Sequence, residues 1–177
     1  SDQATIRFVR ASLLLLFTYI FLANAWVGDD AYITFRTVWN FVHGYGLNFN
    51  PDERVQSYTD PLWMFVVSGV HLVTREFFFT VTALSWAFCV ATGVLLLRRA
   101  RTLPSTTLIV IWLLSSKALV DYTSSGLEYP LNYLLLALFY VRYLGRDVRA
   151  PLTNAELRFF VLIPALAFVT RLDTAIL

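Results

Sequence analysis

Cysteine is almost missing from this 177-residue sequence, and so are the usual signatures of nucleotide and metal chemistry. A single thiol, Cys89, excludes an internal disulfide and any cysteine metal cluster. It sits in an apolar run and reads as a packing residue. There is no glycine-rich phosphate loop of the nucleotide-binding kind, no helix-borne histidine pair and no Asn-x-Ser/Thr acceptor site. No internal repeat is visible. The first apolar run also lacks a small-residue cleavage site, ending in Asn24-Ala25-Trp26-Val27, so Arg7 and Arg10 precede a retained helix rather than a removable leader.

What is there is apolar. Hydrophobic residues make up 58%, aromatics 16%, and the mean hydropathy is +0.62, more than an ordinary soluble domain carries. The expected class is an all-α polytopic membrane protein. Spans are expected at 11–27, 77–97, 103–120 and 131–144, with a fifth over 159–177, leaving outer loops at 28–76 and 121–130. A last segment that stays apolar without a cap or polar tail is expected of the N-terminal part of a longer protein.

Lys and Arg concentrate in the cytoplasmic loops of membrane proteins. Arg7, Arg10, Arg98, Arg99, Arg101, Arg142, Arg146, Arg149 and Arg158 share one side if the chain crosses once between Asp60 and Arg98. That places nine of the 14 basic residues, and the N-terminus, in the cytoplasm. The outer side then takes Arg36, Arg54, Arg75, Lys117 and Arg171 with nine of the 12 acidic residues, among them Asp29, Asp30, Asp60, Asp121, Glu128 and Asp173. The basic clusters serve topology, and no nucleic-acid partner is implied. The same parity lays 62–73 flat as an interfacial or re-entrant helix started by Pro61. Its length agrees, being below the roughly 17 residues a span needs.

The longest outer segment is too aromatic for a linker. From Ala31 to His43, Tyr32, Phe35, Val38, Trp39 and Val42 recur at helical spacing with Arg36, Asn40 and His43 opposite, and Gly44 stops the helix. An amphipathic interfacial helix is expected, its polar face looking into a cleft that contains Asp29 and Asp30. As solvated N-terminal charges these carboxylates would help the helix by only about 0.3–1 kcal/mol each. Adjacent and enclosed, they would call for a cation, a basic partner or a shared proton.

The stretch Gly28-Asp29-Asp30-Ala31-Tyr32-Ile33-Thr34-Phe35-Arg36, followed by Gly44-Tyr45-Gly46, Glu53-Arg54-Val55 and Tyr58-Thr59-Asp60-Pro61-Leu62-Trp63, resembles the first outer loop of bacterial GT-C glycosyltransferases. It is most similar to the mycobacterial terminal arabinofuranosyltransferase group. Thr123-Ser124-Ser125-Gly126-Leu127-Glu128 resembles that group's second outer loop. The resemblance implies a GT-C-type helical module in a bacterial plasma membrane, with its site facing outside. It also implies a polyprenyl-phosphate sugar donor and a cell-envelope glycan, lipid or glycoprotein acceptor. A carboxylate of the first loop would take the acceptor hydroxyl's proton from about 2.6–3.2 Å, directly or through one water, with inversion at the anomeric carbon. Asp29 is the first choice and Asp30 the reserve.

A departing phosphate needs positive charge or amide donors. Arg36, Arg54, Lys117 and Arg171 are the outer cations available for it. Arg171 lies deep in the fifth span and must contact either an acidic residue or the lipid phosphate; Asp173 points elsewhere on an ideal helix. His43 fits a proton carrier, an acceptor contact or a solvated side chain. Tyr58 and Thr59 fit a substrate contact or the turn into Pro61. Glu128 fits a cleft-facing role or the cap of the fourth span. Asn40 belongs to the polar face, and Trp39 and Trp63 fit sugar stacking or an interfacial belt. Asp29 and Asp30 with a phosphate oxygen could hold a hard divalent cation, and no other cofactor is implied. The rival class is a secondary transporter or lipid-binding protein using Asp29, Asp30 and Arg171 as an ion or proton relay. The missing repeat and the interfacial position of the pair speak against it.

Overall fold

A computed structural model describes residues 2–53, 55–100 and 102–176, so Arg54 and Arg101 lie outside the described residues. Its helices are α1 (Asp2–Ala23), α2 (Asp29–Val42), α3 (Pro61–Thr74), α4 (Phe78–Arg99), α5 (Leu103–Ser115), α6 (Lys117–Thr123), α7 (Tyr129–Leu144) and α8 (Asn154–Thr170), followed by a 3₁₀ turn, Leu172–Ile176. No strand occurs among the described residues.

Local chemistry explains most of these boundaries. Capping boxes of Thr102 with Ser105 and Thr153 with Glu156 open α5 and α8. Pro61 and Pro130 occupy first turns, where their missing N–H costs nothing. The Glu76 carboxylate accepts from the amides of Phe78 and Phe79 at 2.8 and 2.6 Å, tying down the start of α4. Gly44, at φ +83, follows the last residue of α2's C-cap.

Three expectations need correction. The run 103–120 is not one helix: Ser116 is extended and turns its Oγ to the amide of Leu119, capping α6 and ending α5. The run 159–177 stops being α-helical at Thr170, where Arg171 takes an extended conformation. The buried face of α2 is turned away from Tyr32 and Trp39, which are exposed, toward Ala31, Thr34, Phe35 and Val38. Two described helices are long and apolar enough to cross a membrane, Gln3–Ala23 and Phe78–Arg99. At 1.5 Å per residue α8 is about 26 Å long, against a hydrocarbon core of about 30 Å.

Helices α4 and α7 pack together, α8 lies on α7, α1 lies on α4, and α2 and α3 pair above them, with α3 touching α4 and α8. The core is shared by Phe35 and Val38 of α2, Trp63, Met64 and Val67 of α3, Val81 of α4, Leu131 and Leu135 of α7 and Ala167 of α8. Phe77 joins it, stacking on Phe35 at 4.8 Å and on His71 at 3.9 Å.

Helix α3 and the segment before α2 are tied to α6 and to the loop between α6 and α7 through backbone carbonyls. The Gly28 amide donates to Ser125 O at 2.8 Å, the Trp63 indole to Gly126 O at 3.1 Å, and the Trp26 indole to Asp121 O at 3.0 Å. Gly126 has φ +82, and a Cβ there would meet Ala31 Cβ and Val27 Cγ1 at 3.3 Å. We therefore expect Gly126→Ala to destabilise the protein by about 1–3 kcal/mol through backbone strain and crowding. Gly69, inside α3 with nothing within 4 Å of an added Cβ, is the control. Gly69→Ala should be neutral or stabilising by up to about 1 kcal/mol. Thermal unfolding of both variants in detergent checks the contrast.

Candidate functional site

Gly28 is the N-cap of α2 and has no side chain to cap with, so the first turn opens on the two adjacent carboxylates. Both are exposed, and Asp29 Oδ1 accepts from the Asp30 amide at 3.1 Å. Their place at a helix N-terminus favours negative charge. Helical geometry separates them: Asp29 shares a face with Ile33 and Arg36, whereas Asp30 lies one turn above Thr34.

Below Thr34 is a group the sequence did not single out. Asp60 stands at the N-cap of α3 yet makes no capping bond; it is 4% exposed, and both its carboxylate oxygens lie 3.4 Å from Thr34 Oγ1. Burial, with the negative charge of Glu128, pushes its carboxyl up from 3.8 to about 7, against the opposing effect of its hydrogen bonds. Burial also raises Glu128, while Arg171 acts to hold it down. Glu128 does not cap α7. Its Oε1 instead pairs with Arg171 Nη1 at 3.0 Å.

Arg171 is the hub of this cluster. Its Nε and Nη2 bind the two oxygens of Asp173 at 2.9 and 2.5 Å, and its guanidinium carbon lies 4.4 Å from the Tyr129 ring centroid. The expectation that Asp173 points away fails because the helix ends at Thr170, and the 3₁₀ turn brings Asp173 back to a bidentate fork. Of the two partners left open for Arg171, the structure has the acidic one, twice over.

The remaining expected contacts disperse. Asn40 is 2% exposed, and its Nδ2 donates to Asn48 O and Phe49 O at 3.0 and 2.9 Å; Arg36 Nε donates to Phe49 O at 3.3 Å. The returning loop therefore closes the polar face of α2 instead of leaving it open to a cleft. His43 is exposed, with its Nδ1 2.8 Å from Trp39 O and its ring against Trp39. Tyr58 is half-buried against the core. Lys117 pairs with Asp121 at 2.6 Å, one turn on in α6, and its side chain is 89% exposed. Trp63 is fully buried, which removes it from sugar stacking. Arg54 lies outside the described residues. Among the described residues no three His, Cys, Asp or Glu side chains are placed to hold a metal ion, so a divalent cation would rest on Asp29 and Asp30 alone.

The comparisons with known proteins add one relative. Over 121 residues, 64% of its length, the chain is 32% identical to a protein of Corynebacterium glutamicum named terminal beta-(1->2)-arabinofuranosyltransferase. The chain spans 18% of that relative's length. No family model matches it, and no solved structure matches it.

Two outcomes follow from this geometry. Well below its ordinary value of 3.8 Asp60 is protonated folded or unfolded; between about 4 and 7 the folded state holds a proton the unfolded chain has lost. Stability should thus fall as pH rises through that window, by an amount on the order of a few kcal/mol, and level off above it. Asp60→Asn should remove that part of the slope in thermal denaturation from pH 4 to 8. Arg171→Gln, which leaves Glu128 and Asp173 without their cation, should destabilise at neutral pH by about 1–3 kcal/mol in the same assay.

Proposed function

We propose that this chain works as part of a membrane glycosyltransferase that moves a sugar, of arabinofuranosyl type, from a polyprenyl-phosphate donor to a cell-envelope glycan, lipid or glycoprotein acceptor. The likeness to the arabinofuranosyltransferase carries this reading. The chemistry of α2 agrees with it: two solvent-facing carboxylates at a helix start, held in place by the Gly28–Ser125 bond, are accessible to an incoming hydroxyl. In this scheme one of the pair takes the hydroxyl proton as its oxygen attacks the anomeric carbon and the lipid phosphate leaves. Asp29 stands first in the exposed turn and is the favoured base, with Asp30 beside it.

In this reading the chain sits multi-pass in a bacterial plasma membrane with its N-terminus cytoplasmic and the acidic turn outside; the long apolar helices α1 and α4 support the membrane part and the distribution of Lys and Arg the orientation. In this scheme the leaving phosphate takes its positive charge from Arg36, Arg54 or Lys117, the last shared with Asp121. Arg171 is already committed to Glu128 and Asp173.

The deciding experiment is transfer by the intact protein in membranes, with polyprenyl-phosphate arabinose as donor. The variant that removes the base, Asp29→Asn in the favoured assignment, should lower kcat by about 10²–10⁴-fold while leaving donor binding measurable. Wild-type turnover by both Asp29→Asn and Asp30→Asn would remove the pair from the mechanism.

A further inference from the structure

We infer that Asp60 is a positioning residue of the acidic site, acting through Thr34 to hold the Asp30 face of α2. This rests on the reading of the Asp29–Asp30 turn as the seat of the base. An aspartate at an N-cap ordinarily accepts from the amides of its own helix. Asp60 forgoes that bond and turns both oxygens toward Thr34 Oγ1, 26 residues away in the chain. Thr34 is 6% exposed and stands one turn below Asp30, so the buried carboxylate props α2 directly beneath the acidic turn.

The charges around Asp60 give the prop an electrostatic role as well. From α2 it meets Thr34, with Asp30 a turn above; from the second outer loop comes Glu128, whose partner Arg171 carries Asp173 behind it. Tyr58 of its own loop packs on the core. With Asp60 neutral, Glu128 meets no negative charge from the start of α3. With Asp60 ionised, the two carboxylates repel each other, and the seat of α3 and of the Thr34 it props is strained against the second loop. Asp60 touches no substrate in this scheme; it sets the placement of the group that does.

The test uses the intact transferase in membranes, polyprenyl-phosphate arabinose as probe, and kcat, KM and thermal midpoint measured from pH 5 to 9. Asp60→Asn should stay folded, leave the donor KM nearly unchanged, lower kcat about tenfold to hundredfold and shift the pH profile of kcat. Thr34→Val should reproduce the loss of kcat, and Thr34→Ser, which keeps the hydroxyl, should restore it. A purely structural Asp60 would move the thermal midpoint alone. Unchanged kcat and pH profile in both Asp60→Asn and Thr34→Val would overturn the inference while leaving the acidic pair in place, provided Asp29→Asn or Asp30→Asn is inactive. Full activity of both of those controls, or no transfer by the wild-type protein, would instead sink the underlying functional reading and this inference with it.

Discussion

Two backbone carbonyls of the loop between α6 and α7, at Ser125 and Gly126, decide where α2 and α3 sit. Buried carbonyls must be paired, and these two take their donors from the first loop: the Gly28 amide and the Trp63 indole. Because Gly28 is also the N-cap of α2, its bond fixes the residue at which the helix starts. That in turn fixes which carboxylates occupy the first turn. Trp63, fully buried, anchors α3 to the same loop, so α2 and α3 are registered against one short turn. The left-handed backbone of Gly126 bends that turn, and two residues later Glu128 reaches Arg171.

The charge balance follows from this registration. Glu128 and Asp173 share a single guanidinium, and Asp60 feels the charge of Glu128, so with all three carboxylates ionised two negative charges would be uncompensated. Arg171 spends three N–H donors on Glu128 and Asp173. Asp60 has no cation against it, only its own backbone amide and the Thr34 hydroxyl at 3.4 Å, which do not offset its burial and the charge of Glu128, so its carboxyl is pushed up to about 7. Enclosure and poor partnering set it apart from Asp29 and Asp30, which face solvent. The fold thus holds two kinds of acid one helical turn apart, one open to an incoming molecule and one sealed below it.

The sequence made α2 and α3 legible because periodicity, Pro61 and Gly44 all agree on their extents. It misjudged the buried face of α2 because Thr34 and Thr37 are polar by composition. Both nonetheless go inside, where Asp60 and Ser57 satisfy their hydroxyls. The break at Ser116 and the end of α8 at Thr170 escaped notice for a related reason: hydropathy averages over a serine cap and does not register a single extended residue. In sequence Asp60 is one acidic residue of the 58–63 stretch with no role of its own, since its partner lies 26 residues away and its burial is a tertiary fact. The pairing of Arg171 with Glu128 was among the alternatives that intramembrane cost allowed; the fork to Asp173 needed the helix end to be known.

The charged groups divide the molecule into two ends. Asp29, Asp30, Asp60, Glu128, Arg171 and Asp173 gather where α2, α3 and the second loop meet. At the other end Arg10 donates to Ala100 O, Arg99 to Val141 O, and Arg142 pairs with Glu156. Between them α4 runs 22 residues, about 33 Å, with no charged side chain before Arg98. On the outer surface of α1, Phe8, Leu15, Tyr19 and Leu22 are all exposed. In water, leaving such side chains uncovered would forgo about 1.5–3 kcal/mol for each large apolar group. A bilayer, or further helices within one, removes that cost over the length that separates the two charged ends. The acidic turn of α2 then stands at one end of that apolar length, with both its carboxylates facing solvent.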